Sequence, residues 1–240
     1  IAALLDAAGV GAGCRVLDVA TGPGGVAAAA AARGAQSVVG ADLSPRMVAL
    51  AASLHPGVEF READAEALPF DAGAFDAVVS NFGVGHFPRP ERAVAEFARV
   101  LARGGMAAVT WWEVPARNRV NGVFFDAVSQ AEAPQSPDLP AGPAVFRFSD
   151  EAELLSLLSG AGLVDVAARE VTWVHPVPTA EAWWRGGLGS LARASASILG
   201  QAPAMQRRIR AAFDRLVVPY AAEGGFRVPC AARVASGRKP

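Results

Sequence analysis

The residues with the most chemical content lie in one run, Asp18-Val19-Ala20-Thr21-Gly22-Pro23-Gly24-Gly25. Glycines placed directly after a short apolar segment, Arg15–Val19, let backbone N–H groups come close to a ligand. Gly22-Pro23-Gly24-Gly25-Val26-Ala27 also fits the G-x-G-x-x-A form of a dinucleotide site, a weak signal on its own. Asp18 separates the ligand classes. A carboxylate ahead of the turn repels a pyrophosphate and welcomes the ammonium of an amino-acid tail. The bland alternative is that it only caps the turn. Asp42 follows the next apolar run, 37–41, where an acid suits the vicinal hydroxyls of a ribose. Asp64 follows a third run, 58–62, and acids there often cap the next turn.

These residues need a scaffold that brings strand ends together. The first half alternates strand and helix patterns: strands over Arg15–Val19, 37–41, 58–62, 75–80 and 106–112, and helices over 24–33, Pro45–Leu54 and 91–101. Ser44 and Pro45 read as cap and first residue of the second helix. Gly104-Gly105 is expected to stop the third. Such alternation implies a parallel sheet with helices on both faces. The second half reads as a helix over 118–132, a Pro-rich loop over 134–143, a helix capped by Ser149 or Asp150 and running to Leu158, a strand over 164–174, two or three helices within 179–220, and a last strand over 226–236.

Four segments then follow in order: 16–25; Gly40-Ala41-Asp42-Leu43-Ser44-Pro45-Arg46-Met47; Ala63-Asp64-Ala65-Glu66-Ala67-Leu68-Pro69-Phe70; and 75–87 with Arg99-Val100-Leu101-Ala102-Arg103-Gly104-Gly105 behind it. Together they resemble the class I S-adenosylmethionine-dependent methyltransferases, specifically the ubiquinone/menaquinone-biosynthesis-like (type 11) group. The resemblance covers most of residues 10–112. It implies an α/β, Rossmann-like fold: a seven-stranded, mostly parallel sheet flanked by helices, with its last strand antiparallel and helical cap insertions. It further implies S-adenosyl-L-methionine as cofactor and S-adenosyl-L-homocysteine as product. In that pattern Asp18 and the backbone of Ala20, Gly22 and Gly24 hold the methionine end, and Asp42 accepts both ribose hydroxyls. Leu43 and Met47 pack on the adenine, Asp64 and the Ala65 amide meet its edge, and Asn81 and Phe82 line the floor beside the methionine tail. Ala20 stands where the family often has Gly, a variant expected to cost little.

Methyl transfer from a sulfonium is an in-line displacement that mostly needs positioning, helped by a dry pocket. An acceptor that carries a proton also needs a base. His86, in the loop after the fourth strand, is the catalytic candidate, and bracing the loop is its alternative role. His175 and the sole tyrosine, Tyr220, are weaker candidates, and His55 reads as a surface residue. Trp111, Trp112, Trp183 and Trp184 are candidate walls of an acceptor pocket. The plain alternative puts one ring of each pair in the core and the other in a crevice. Arg119, Asn121 and Arg185 supply possible polar contacts. Three scattered histidines form no metal-ligand cluster, so no metal is expected.

Residues 1–240 are read as a single methyltransferase domain, with 1–113 as the cofactor half and 114–148 and 178–224 as the substrate-binding cap. Net charge is -1, which excludes the basic footprint of a nucleic-acid binder. Two distant cysteines exclude a disulfide framework and fit a cytoplasmic protein. No run reaches the ~18 apolar residues of a membrane span. The resemblance also implies a leading helix that closes over the substrate, expected ahead of Ile1. The expected partner is a small molecule, aromatic or of secondary metabolism, methylated on oxygen, nitrogen or carbon. Neither nucleic acid nor membrane is expected as a partner, and monomer and homodimer are both open. Two rivals remain. One is a non-methylating S-adenosylmethionine-binding protein, serving cyclisation or regulation. The other is a nicotinamide-dependent oxidoreductase, against which stand Asp18 and the absence of a Tyr-x-x-x-Lys pair.

Overall fold

A computed structural model describes residues 1–134, 144–190 and 192–240, with backbone alone for 190, 192 and 193. In chain order the elements are α1 (Ala2–Ala7), β1 (Arg15–Val19), α2 (Gly25–Ala32), β2 (Ser37–Asp42), α3 (Pro45–Leu54), β3 (Glu59–Glu62), β4 (Phe75–Asn81), α4 (Pro90–Val100), β5 (Leu101–Trp112) and α5 (Arg119–Gln130). A 3-10 turn, Arg147–Ser149, precedes α6 (Glu151–Gly160), β6 (Val164–Val177), α7 (Ala180–Ser190), α8 (Ala192–Leu199) and α9 (Pro203–Val217). A second 3-10 turn, Val218–Tyr220, leads to β7 (Ala221–Ala222) and β8 (Gly225–Arg238).

Strand order is β3-β2-β1-β4-β5-β8-β6, with the two-residue β7 paired to β8 off this path. Strands β1 to β5 are parallel to their neighbours. The last strand runs against β5: the Gly104 amide donates to the Lys239 carbonyl, and the Glu113 amide to that of Ala231. This is the mostly parallel sheet with a reversed final strand that the motifs implied. The chain divides into two compact units. Unit 1 is Ile1–Trp112, Gly142–Val171 and Arg233–Pro240; unit 2 is Glu113–Ala141 and Thr172–Ala232.

Side chains alternate across a strand, and unit 1 fills both faces of its sheet in this way. Leu17, Val19, Val78, Ala107 and Val109 join one core with Phe97 of α4 and Leu154 and Leu158 of α6. Val16, Val79 and Ala108 join the other, with Leu4 and Leu5 of α1 and Val26 and Ala30 of α2. Asp18 shares the face of Val16, so it points into the side that α2 covers. In unit 2 the core gathers Phe124 of α5, Trp183 of α7, Ile198 of α8, and Ile209 and Phe213 of α9.

Local signals explain the helix starts. Ser44 Oγ accepts from the Met47 amide, with Pro45 opening α3. Asp150 accepts from the Ala152 amide at the head of α6. Three expectations needed correction. Gly104-Gly105 does not stop α4: Leu101 is already extended (φ -69°, ψ 140°) and starts β5. The glycine pair instead lies inside that strand, where the pairing with β4 slips between Phe75↔Leu101 and Ala77↔Met106. Helix α1 was not anticipated; its signal is only Leu4-Leu5, both buried. Strand β6 continues through Pro176, which ends the sheet's path, where a missing N–H costs no ladder bond. The Pro-rich loop read at 134–143 lies, apart from Pro134, outside the described residues.

Candidate functional site

The parallel strands β1, β2 and β4 end side by side, and the sequence-derived cofactor residues sit at these ends. Register places Asp18 beside Gly40 and Val19 beside Ala41, so Asp42 comes level with the start of the glycine turn. Its Oδ2 accepts from the Gly22 amide and its Oδ1 from the Ser44 amide, both at 2.9 Å. The carboxylate is therefore fixed in orientation, and each oxygen keeps a second lone pair. Beside it Leu43 is 68% and Met47 40% exposed, an apolar surface next to a diol acceptor.

Asp18 is 1% exposed. Its Oδ2 accepts from Thr21 Oγ1 at 2.6 Å and from the Ala27 amide at 3.1 Å. Ala27 lies in the first turn of α2, whose N-cap, Gly24, has no side chain to offer. Asp18 thus takes up an N–H at the very helix end that would otherwise hold a phosphate. Its Oδ1 is buried with no partner among the described residues. Burial pushes the Asp18 carboxyl up to about 7, against the two hydrogen bonds that pull it down and with a small push from Asp42. A buried oxygen lacking a donor fits an incoming N–H or ammonium group.

The turn itself is left-handed at Ala20 (φ 57°), Gly22 (φ 53°) and Gly24 (φ 84°). Ala20 thus holds a conformation that glycine adopts freely, at a cost in strain. A side chain at Gly24 or Gly40 would strike the Phe60 ring, at 2.7 and 2.5 Å respectively. His55 also borders Gly24 (2.9 Å), so it packs at the turn. Across the strand ends, Phe82 is also left-handed (φ 61°). Thr110 Oγ1 holds this corner, donating to Asn81 Oδ1 and accepting from the Phe82 amide, each at 2.8 Å. The Phe82 ring stacks on Trp112, centroids 3.6 Å apart and 6° from parallel.

Asp64 is exposed, and its Oδ1 accepts from the Glu66 amide, the turn-capping role noted as the alternative. Ala65 beside it is buried. This loop is strapped down by residues that motif reading passed over. Glu66 accepts from the Arg89 amide and side chain. Glu96 accepts from the Leu68 amide, while Arg99 donates to the carbonyls of Leu68 and Phe70 and pairs with Glu96. Arg99 holds the Glu96 carboxyl below its usual range. Their signal was present as an i, i+3 Glu–Arg pair on α4.

His86 is exposed, with its ring edge-on to Trp111 at 5.4 Å. Trp111 itself is 4% exposed; its ring packs against Gly85 and donates from Nε1 to the Val145 carbonyl. Its ring belongs to the core of unit 1, whereas Trp112 is half-buried. The same division holds in unit 2: Trp183 is buried, donating to the Val120 carbonyl, and Trp184 is half-buried. Tyr220 accepts from Arg119 Nε at 2.8 Å, and Arg119 also pairs with Asp126. His175, Asn121 and Trp183 line one cavity of unit 2, whereas Arg185 pairs with Glu181 at the surface. Among the described residues no group of three or more His, Cys, Asp or Glu is placed to hold a metal. Nor is any described helix long and apolar enough to cross a membrane.

Comparison with known proteins gives the following. A family model described as "Methyltransferase domain" matches residues 17–109. The uncharacterized protein Rv1405c of Mycobacterium tuberculosis is 33% identical over 229 residues, covering 92% of this chain and 78% of that one. A demethylmenaquinone methyltransferase of Chlorobaculum tepidum is 43% identical over 106 residues, 44% of this chain and 43% of the relative. The chain thus spans about half the length of several curated relatives it matches. Among solved structures, the [4+2]-cyclase SpnF superposes with a TM-score of 0.59 at 20% identity, covering 100% of this chain and 80% of that one. A phosphoethanolamine N-methyltransferase of Haemonchus contortus, solved with S-adenosylhomocysteine, superposes with a TM-score of 0.59 at 19% identity, covering 100% and 52%. At these identities the structures speak for the fold alone.

Proposed function

This chain belongs to the class I S-adenosylmethionine-dependent methyltransferases, in their type 11 group, and from that membership we propose that it methylates a small molecule with an aromatic part. Membership of that family makes S-adenosyl-L-methionine its cofactor and S-adenosyl-L-homocysteine its product, against the nicotinamide alternative. The bound cofactor supplies a sulfonium methyl already activated for displacement.

The chain's own residues do the rest by positioning. Asp42 would receive the ribose diol on the free lone pairs of its two oxygens. Leu43 and Met47 would pack on the adenine, and Asp64 and the Ala65 amide would bind it. Asp18 Oδ1 and the backbone of Ala20, Gly22 and Gly24 would hold the methionine tail, with Asn81 and Phe82 beside it. The stretches 114–148 and 178–224 contribute acceptor recognition, with Trp183 and Tyr220 in their number. The stacked pair Phe82–Trp112 offers a flat apolar surface in unit 1, which supports an aromatic acceptor. Where the acceptor carries a proton, His86 takes it.

One observation carries this reading: the Asp42 carboxylate, oriented by two backbone amides beside an exposed apolar surface. Incubation with methyl-labelled cofactor and a panel of phenols, indoles and polycyclic acceptors, read by mass spectrometry, tests it. A labelled product supports the proposal. Tight S-adenosylhomocysteine binding with no methyl transferred to any acceptor class would replace it with a non-methylating role on the same fold.

A further inference from the structure

Unit 2 holds a cavity of 270 Å³ between the start of α5, the end of β6 and α7. Val120, Pro176, Pro178 and Trp183 give it apolar walls, and Asn121 and His175 stand at it as polar groups. The Asn121 side chain is half-buried and that of His175 exposed. Among the described residues the lining includes no Asp, Glu, Lys or Arg. Its size is just below the roughly 300 Å³ at which drug-sized sites begin, so it suits a fused two-ring system rather than a larger ligand.

Two adjacent glycines of α7 sharpen the picture. A Cβ at Gly187 would lie 2.0 Å from the Phe124 ring, so close packing requires that glycine. At Gly186 a Cβ would meet nothing within 4 Å, and Gly186 lines the cavity. Glycine weakens a helix interior relative to alanine, and no close packing demands it at 186. Gly186 is exposed, so a glycine there leaves the rim of the cavity open.

We propose that this cavity binds a small, flat, uncharged aromatic bearing one hydrogen-bonding edge, read by Asn121 and His175. Identifying that ligand as the acceptor rests on the methyl-transfer reading; the binding itself does not. The probes are 2-naphthol and naphthalene, which differ in that edge alone. Their affinities are measured by protein-observed NMR titration without cofactor on the wild type, His175→Ala, Asn121→Ala and Gly186→Leu. The expected result is that 2-naphthol binds about tenfold more tightly than naphthalene. Either alanine variant should close most of that gap, and Gly186→Leu should abolish both affinities while its thermal midpoint stays level or rises. Probe binding that survives Gly186→Leu, no binding of either probe, or equal binding of both to the wild type would overturn the proposal. His175 is exposed, so its variant folds and keeps the test open if Gly186→Leu does not. A chain that binds 2-naphthol here but fails to bind S-adenosylhomocysteine would sink the methyltransfer reading and leave this one standing.

Discussion

Replacing Asp18 by Asn tests whether a buried carboxyl is held beneath the glycine turn. Asn keeps an oxygen for Thr21 Oγ1 and the Ala27 amide and removes the charge. In the wild type, burial lifts this carboxyl from its ordinary 3.8 to about 7. Between those values the folded protein keeps a proton that the unfolded chain has lost. Unfolding therefore releases a proton, and the wild type loses about 1.4 kcal/mol of stability per pH unit as pH rises through this window. The contribution is complete below about pH 4 and is lost by pH 7, about 4 kcal/mol in all. The amide nitrogen left in the orphan position costs about 1–3 kcal/mol, but equally at every pH. The observable is thus a difference: urea denaturation of wild type and Asp18→Asn from pH 4.5 to 8. The variant should gain on the wild type steadily up to pH 7 and hold level above it. Saturating S-adenosylhomocysteine should flatten the curve, because its ammonium draws the folded carboxyl back down. A difference constant with pH would refute the reasoning.

Other substitutions probe the surrounding parts. Ala20→Gly relieves a left-handed alanine, worth about 1–2 kcal/mol, against a chain-entropy cost of about 0.5–1 kcal/mol. It should raise stability by about 0.5–1 kcal/mol in urea, and a fall would show that the turn is not strained. Arg99→Met removes the donors to Leu68 and Phe70. At this half-exposed site we expect a loss of about 1–2 kcal/mol and weaker cofactor binding in calorimetry; unchanged affinity would mean the Asp64 loop needs no strap. His86→Ala should slow methyl transfer about 100-fold while leaving S-adenosylhomocysteine affinity within twofold, and equal losses of both would assign it to bracing the loop.

Much of unit 1 was legible because its signals are local. Apolar runs, Ser44-Pro45 and the glycines each act within a few residues. The ends of β1, β2 and β4 follow directly from them, and with them the grouping of Asp18, Asp42, Asn81 and Phe82. What stayed hidden depends on partners distant in sequence. Nothing around Asp18 says that α2 folds over it and gives it the Ala27 amide. Phe60 reads as an ordinary strand residue until Gly24 and Gly40 are seen beneath its ring. Arg99 looks like a surface charge until the 64–70 loop lies against it. Gly104-Gly105 misled because two glycines after a helix usually end it, whereas here they shift a strand register. The tryptophan pairs were ambiguous for the same reason, since neighbouring residues in a strand or helix face different surroundings.

The most direct test of the central claim is a calorimetric titration of S-adenosylhomocysteine into the wild type and Asp42→Ala. Loss of the charge-assisted hydrogen bonding to the ribose, about 1.5–3 kcal/mol net, predicts affinity for the variant weaker by about 10- to 100-fold, with the fold intact. Equal affinity for both proteins would mean that the end of β2 does not hold the ribose and would contradict the account.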